Sequence, residues 1–160
     1  MSLKIRRVVT GHDENGKAVV SYDGESDNDI SRRPGHESAV LWTTSSHPAD
    51  NSQDFDAAKR EVATTEANGT IFRIVEYQAG VAGRLHRTDS VDLAIVMSGE
   101  IDMELDDGVV VHLKAGDALV QRGTVHNWVN NGPEPCRIAF VLVSAEPVSV
   151  EGDKKLDAFG

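Results

Sequence analysis

Three side chains in the second half of the chain, His86, Asp92 and His126, are of types that bind divalent metal ions. Side chains alternate across a β-strand, so residues at even separations share a face, and His86 and Asp92 have the same parity. Two adjacent strand segments would then direct all three side chains into one cavity. Two imidazoles and one carboxylate suit Fe(II), and also Mn, Ni, Co or Zn, and leave positions open for water, dioxygen or a chelating substrate.

The same three residues allow a second chemistry that needs no metal. A carboxylate paired with an imidazole raises the pKa of the ring and orients it, so that His86 or His126 would act as a general acid or base beside Asp92. Both hypotheses make His86 and His126 the catalytic residues. The spacing alone leaves the two hypotheses open.

Further side chains near these residues are candidates for binding a substrate. They are Arg73, Tyr77, Thr88, Gln121 and Trp128. Gln121 would hydrogen bond a ligand, and Trp128 shares the parity of His126 and would form a pocket wall. Arg73 and Tyr77 share one face of a predicted strand, and the pattern does not show whether that face or the opposite one lines the cavity. Arg84 and Arg87 flank His86 and are predicted to form a solvated rim, with attraction of a carboxylate substrate as the alternative.

Residues 69–147 must position these side chains, and they show the alternation typical of β-strands. The predicted strands are Thr70–Gln78, Asp92–Met97, Glu100–Leu105, Val109–Leu113, Ala118–Gln121, Val125–Val129 and Cys136–Ser144. Turn signals separate them, including Asp106-Asp107-Gly108 and Asn131-Gly132-Pro133. Short strands at such regular spacing predict a β-sandwich or a barrel.

Residues 1–68 are less regular. Two short strands, Ile5–Val9 and Ala18–Tyr22, are predicted on either side of an Asn-Gly turn, and a third at Ala39–Thr43. Residues 23–36 and 44–54 are polar and are predicted as loops, with His36 in a loop and without a metal-binding partner. Asp54–Val62 is predicted as a short helix. The tail, residues 148–160, is charged, although Leu156 and Phe159 have side chains that would dock.

Composition limits the classes of function. A chain of 160 residues has the length of one domain. Its formal net charge of −10 disfavours both nucleic acid and anionic membranes as partners. Cys136 has no second cysteine to pair with and is predicted as a small buried side chain on a strand. Without an apparent signal peptide or a membrane-spanning run, the chain is expected to be soluble and cytoplasmic.

The spacing of glycines and histidines resembles that of the cupin superfamily. The first cupin motif is Gly, five residues, His, one residue, His, three or four residues, Glu, six residues, Gly. Here Gly80, His86, Asp92 and Gly99 fit it, with Asp for Glu and with Thr88 at the second histidine. The second motif is matched at Gly116, Gly123, His126 and Asn130, and Gln121 stands near its proline. The resemblance covers about residues 70–145.

The resemblance implies an all-β, cupin-type double-stranded β-helix, or jelly-roll barrel, with extra N-terminal strands. It also implies a metal with four protein ligands. Thr88 removes one of them, which leaves either a weaker three-ligand site of His86, Asp92 and His126 for Fe, Mn, Ni or Zn, or no metal site. Cupins of this kind commonly form homodimers in which N-terminal strands join the partner's sheet, and Ile5–Val9 and Ala18–Tyr22 would serve that role.

Three functions remain open at this point. The first is a metal-dependent enzyme acting on a small organic acid or an oxygenated aromatic, as a decarboxylase, dioxygenase or isomerase. The second is a non-catalytic binder of a small molecule. The third is a metal-free lyase or isomerase that uses His86 or His126 as its acid or base. A fold alone does not choose among them.

Overall fold

The computed structural model describes residues 3–151 and 154–160, and it consists almost entirely of antiparallel strands. The strands are β1 (Arg6–His12), β2 (Ala18–Glu25), β3 (Asp29–Arg33), β4 (His36–Thr44), β5 (Thr70–Tyr77), β6 (Ser90–Ser98), β7 (Glu100–Glu104), β8 (Val110–Lys114), β9 (Ala118–Arg122), β10 (Asn127–Val129), β11 (Cys136–Ser144), β12 (Ser149–Val150) and β13 (Lys154–Lys155). Short 3-10 turns occupy Ala57–Lys59 and Asp106–Gly108.

Two sheets enclose one main core, as the sequence predicts. The larger sheet has the order β3-β4-β5-β11-β6-β9, and the smaller one has the order β10-β7-β8. Alternate residues of β11, among them Ile138, Phe140 and Leu142, are at most 5% exposed and belong to the same core as Trp128 and Ile101 from the smaller sheet. The alternation places apolar side chains inside the barrel because each strand has one face in the core and one outside it. Cys136 is also buried in this core, as predicted.

The predicted loop at residues 23–36 is wrong. β2 continues to Glu25, and Asp29–Arg33 forms an edge strand whose partner is β4. A Pro34-Gly35 turn joins the two strands, and Gly35 has a φ of +77°. The residues of β3 are polar because an edge strand has one neighbour only, so most of its side chains face solvent. Its hydrogen bonds to β4 are tertiary contacts that composition does not reveal.

The predicted helix at Asp54–Val62 is also wrong, since the chain makes only the 3-10 turn Ala57–Lys59 there. Asp56 caps this turn by accepting a hydrogen bond from the backbone N–H of Ala58 at 3.1 Å. The same carboxylate accepts both terminal nitrogens of Arg7, each at 2.6 Å. The segment is therefore fixed by its contacts with other elements rather than by helical hydrogen bonds.

The two predicted N-terminal strands are confirmed as β1 and β2, which pair with each other. Ahead of them, Leu3 is 1% exposed and packs with Ala39, Leu41 and Ile74 in a second, smaller core. This core lies on the face of the larger sheet that points away from the barrel interior. The N-terminal segment thus covers one end of the outer surface of the barrel.

The C-terminal segment also docks on the barrel. Phe159 and Arg87 exchange backbone hydrogen bonds of 3.0 and 3.1 Å, and the guanidinium of Arg87 lies 5.7 Å from the centre of the Phe159 ring. The predicted docking of Phe159 is confirmed. Arg84 donates to the carbonyl oxygen of Gly160, so the end of the chain lies beside His86. In residues 3–151 and 154–160 there is no helix of the length and apolar character needed to cross a membrane.

The buried pair of Arg7 and Asp56 provides a test of how the N-terminal hairpin is attached. The Arg7 side chain is 4% exposed and also stacks on Tyr22 of β2, at 4.2 Å from the ring centre. We expect Arg7→Met to lower the free energy of unfolding by about 2 kcal/mol or more, because it leaves the partly buried Asp56 carboxylate unpaired. Urea denaturation followed by circular dichroism measures this change.

Arg6→Met is the matched control for that substitution. Arg6 also makes a two-point pair, with Asp23 at 2.8 and 2.9 Å, but its side chain is 71% exposed and that of Asp23 is 45% exposed. Water screens such a pair, so the control should leave the urea midpoint almost unchanged. Equal losses in the two variants would contradict the special role of the buried pair.

Candidate functional site

The two predicted catalytic histidines face each other across an isolated β-bridge. His86 and His126 exchange backbone N–H···O=C hydrogen bonds of 3.0 and 2.9 Å. Directly paired residues of antiparallel strands project their side chains to the same face. The two ring centroids consequently lie 4.0 Å apart, with an interplanar angle of 54°. The structure therefore brings together two side chains separated by 40 residues of sequence.

Both imidazoles are oriented by the backbone two residues earlier in their own segments. The Nδ1 of His86 lies 2.9 Å from the carbonyl oxygen of Arg84, and that of His126 lies 3.0 Å from the carbonyl oxygen of Thr124. A carbonyl oxygen only accepts, so each Nδ1 carries the proton and each Nε2 keeps its lone pair. This is the tautomer that a metal-binding or proton-accepting histidine requires.

Burial keeps both rings neutral at physiological pH. The pKa of His86 falls to about 4, chiefly because of burial and next because of the neighbouring His126. Burial also lowers the pKa of His126, against the opposing effects of its hydrogen bond with the Thr124 carbonyl and the charge of Asp92. The sequence-based expectation that a carboxylate raises the histidine pKa is therefore outweighed by burial.

Asp92 lies on the inward face of β6 and is 4% exposed. The Ser90 hydroxyl donates to its Oδ1 at 2.5 Å, and the Oγ1 of Thr88 lies 3.0 Å from the Ser90 oxygen. Burial raises the pKa of Asp92, while the Ser90 hydrogen bond and the charges of His126 and Arg73 lower it. Thr88, predicted as a substrate-binding residue, therefore belongs to the hydrogen-bonded chain that holds the carboxylate.

The two histidines are suited to binding a metal ion, whereas Asp92 is less well placed as a third ligand. Two neutral imidazoles with Nε2 lone pairs are suitable donors. Within residues 3–151 and 154–160, however, no three His, Cys, Asp or Glu side chains are grouped so that they would hold a metal together. The Asp92 side chain is one methylene shorter than the glutamate of the cupin motif, and Ser90 holds one of its oxygens. The three-ligand site stays a prediction.

The structure decides which face of β5 lines the barrel. Tyr77 is 4% exposed and belongs to the main core, and Arg73 has the same parity. Glu76 lies on the opposite face, where it accepts hydrogen bonds from Arg137 at 2.6 Å and from Gln78 at 2.6 Å. Arg73 and Tyr77 are therefore the pair that points inward.

Gln121 and Trp128 complete the predicted set, and both are buried. Gln121 pairs with Asp92 across β9 and β6, and its side-chain oxygen is buried without a hydrogen-bond partner among the described residues. The centroid of the Trp128 ring lies 6.1 Å from that of the His126 ring and 5.7 Å from that of the Phe140 ring. It separates the histidine pair from the apolar core.

Two residues of this region were not among the candidates. His36, predicted in a loop, begins β4, and its ring lies edge-on to Tyr77 with centroids 5.3 Å apart. Its pKa falls to about 4 because of burial and the nearby Arg33 and Arg73. Arg33 ends β3. The Pro34-Gly35 dipeptide between Arg33 and His36 is a turn signal that would have indicated a hairpin of β3 and β4.

A pocket of about 250 Å³ opens beside His86. His86 and Thr88 line it together with Arg84, Thr64 and the C-terminal residues 158–160. Arg84 and Arg87 belong to this rim, in agreement with their predicted location, although both also bind the C-terminal segment. The pocket gives a small molecule a route to His86.

The sequence from residue 73 to 143 matches the family model described as a cupin domain. The chain is 32% identical to a cupin-domain-containing oxidoreductase of *Aspergillus ruber*, a match that covers 98% of this chain and 80% of the relative. It is 34% identical to phomopsin biosynthesis cluster protein D of *Diaporthe leptostromiformis*, covering 91% of this chain and 82% of that protein.

Solved structures support the same fold. The cupin domain of Cnp3 from *Schizosaccharomyces pombe* superposes with a TM-score of 0.53 at 14% identity, covering 89% of each chain. A conserved double-stranded β-helix protein from *Klebsiella pneumoniae* gives a TM-score of 0.51 at 22% identity, covering 75% of this chain and 86% of that one. The chain belongs to the cupin family and folds as its double-stranded β-helix.

Proposed function

We propose that this chain is an enzyme that acts on a small organic acid or an oxygenated aromatic, with His86 and His126 as its chemical centre. The observation that carries the proposal is the pair of neutral imidazoles, with ring centroids 4.0 Å apart and both Nε2 atoms left as acceptors, of which His86 lines a pocket of about 250 Å³. Relatives over 30% identical are called oxidoreductases or biosynthesis cluster proteins, which favours a redox reaction on a small molecule.

A divalent metal, of which Fe, Mn, Ni and Zn are the candidates, would be held by His86 and His126 with Asp92 as third ligand. Bound there, it would supply a Lewis acid or a site for dioxygen. The neutral state of both rings supports this proposal, because metals bind the unprotonated nitrogen. The Ser90 hydrogen bond leaves the second carboxylate oxygen of Asp92 for this purpose.

Two alternatives use the same pocket. In a metal-free lyase or isomerase, the Nε2 of His86 or His126 would accept a proton from the substrate, since both nitrogens have a lone pair at neutral pH. In a non-catalytic binding protein, the pocket would hold its ligand without turnover. Metal content separates the first proposal from both alternatives, and turnover of a bound ligand separates those two from each other.

The metal is tested with untagged protein analysed by mass spectrometry for Fe, Mn, Ni and Zn. We expect near-stoichiometric metal in the unmodified protein and a loss of at least about tenfold in His126→Gln, which removes one of two imidazole donors. His112→Gln is the control, because His112 lies on the outer face, 57% exposed and paired with Asp102. Absence of metal from all three proteins after incubation with each ion would refute the metal site.

We also propose that the protein is a homodimer. On the outer face of the larger sheet, the neighbouring side chains Leu93, Ile95, Met97 and Val120 are 44–61% exposed. At the other end of this face, Leu3 and its neighbours are already covered by the N-terminal segment. The β1–β2 hairpin exposes Val8 and Val20 and would cover the patch of a second copy.

Size-exclusion chromatography with light scattering tests the dimer. The unmodified protein should elute at twice the chain mass of 17.3 kDa, and Ile95→Lys should shift it toward the monomer, because a charge would be buried at the interface. Val110→Lys, at an equally exposed position of the smaller sheet, should leave the mass unchanged. A monomer at all concentrations would exclude this arrangement.

A further inference from the structure

Two half-buried arginine side chains of this region have no side-chain partner among the residues that the structure describes. Arg73 and Arg33 make no side-chain hydrogen bond or ion pair with any residue that the structure describes, and the Nε of each is buried and unpaired. Arg73 comes from the inward face of β5, and Arg33 from the end of β3. Unpaired guanidinium groups in such positions are unusual, since buried charges are normally paired.

The surroundings of these arginines are cationic. The titratable groups that act on Arg73 are Tyr77, Asp92, Arg32 and Arg84, and those that act on Arg33 are Tyr77 and Arg84. Burial raises the pKa of Tyr77 and keeps it neutral, so Asp92 is the one anionic group among them in the described part of the chain. A chain with a net charge of −10 therefore has a locally positive interior, which is the reverse of its surface.

Strand pairing places both arginines in the same part of the barrel. Arg33 pairs with His36, which pairs with Tyr77, and Arg73 pairs with Phe140, whose ring lies next to Trp128. Arg33 and Arg84 both act electrostatically on His86, and Asp92 acts on both Arg73 and His126. His36 has a buried Nδ1 without a hydrogen-bond partner among the described residues, and both arginines act on it electrostatically. The buried Nε donors of Arg73 and Arg33 therefore have no protein acceptor in the described part of the chain.

We propose that Arg73 and Arg33 together bind the carboxylate of an organic acid and so hold the remainder of the molecule against His86 and His126. The proposal rests on the proposed function and names the feature by which its substrate is recognised. A guanidinium binds a carboxylate through two parallel N–H···O hydrogen bonds, and these bonds gain strength where water is excluded. The bound carboxylate would supply the negative charge that the interior lacks.

An organic carboxylate suits this place better than inorganic phosphate. The rings of Tyr77 and Trp128, with centroids 6.1 Å apart, and that of Phe140 form an apolar cluster in the core, and Phe140 pairs with Arg73 across β11 and β5. A hydrocarbon or aromatic group would pack on that cluster, whereas phosphate has no apolar part to bury. Pockets for small molecules commonly combine apolar walls with a few fixed polar groups.

The test compares benzoate and hexanoate with their uncharged amides, benzamide and hexanamide, and with inorganic phosphate. The purified protein is titrated with each compound by calorimetry and by thermal unfolding. We expect at least one carboxylate to bind and to raise Tm, and its amide and phosphate to have no comparable effect. Arg73→Met should weaken carboxylate binding by about tenfold or more. Arg122→Met, an exposed arginine on β9, is the control and should bind normally.

The unliganded variants give a second readout. Arg73→Met removes an unpaired, partly buried charge, so without ligand it should melt at the same temperature as the unmodified protein or higher. If Arg73 instead stabilised the fold, Arg73→Met would melt at a lower temperature than the unmodified protein. Arg33→Met, at the edge of the sheet, should also weaken carboxylate binding. This second variant keeps the proposal testable if Arg73→Met fails to fold.

Several results would overturn the proposal. They are the absence of binding by either carboxylate, equal binding of acid and amide, a preference for phosphate, or unchanged carboxylate binding in both arginine variants. Metal content and turnover of the unmodified protein separate this proposal from the proposed function. If carboxylate binding persists while metal and turnover are absent from the unmodified protein, the anion site stands and the enzymatic proposal fails; metal or turnover without carboxylate binding gives the reverse.

Discussion

The site depends on the two backbone hydrogen bonds between His86 and His126. They form a single bridge rather than a long ladder, and they join the segment after β5 to the start of β10. Asn127 reinforces the junction by accepting the backbone N–H of Arg84 at 2.7 Å. Its carboxamide lies where a Cβ on Gly83 would stand, at 2.6–2.8 Å, so a larger residue at position 83 would push the two segments apart.

The bridge gives the two imidazoles the same local geometry. Each ring nitrogen Nδ1 bonds the carbonyl oxygen two residues earlier, so both Nε2 atoms are left for a ligand, metal or proton. Two positively charged imidazoles so close together would repel each other. Burial lowers the pKa of both rings and so keeps them uncharged. Backbone pairing and burial therefore act together to make an acceptor pair.

Polarity is divided along the interior of the barrel. Trp128 and Phe140 belong to an apolar core, whereas Asp92, Gln121 and the Nε of Arg73 are buried polar groups of the same interior. A buried polar group without a partner costs about 1–3 kcal/mol, and such groups tend to be kept where a ligand satisfies them. The unpaired Arg73 and Gln121 atoms are thus more informative about binding than the saturated Asp92–Ser90 pair.

Sequence patterns by themselves determined the all-β class, most strands of residues 69–147 and the two histidines, because period-two alternation and motif spacing are local properties. Only the tertiary structure decided that Arg73 and Tyr77 face inward, that His36 lies in a strand beside Tyr77, and that Ser90 holds Asp92. These facts depend on which strands become neighbours, and pairing between distant segments is not encoded in the composition of either one. The edge strand β3 shows this most clearly, since its polar residues resemble a loop until β4 supplies their hydrogen bonds.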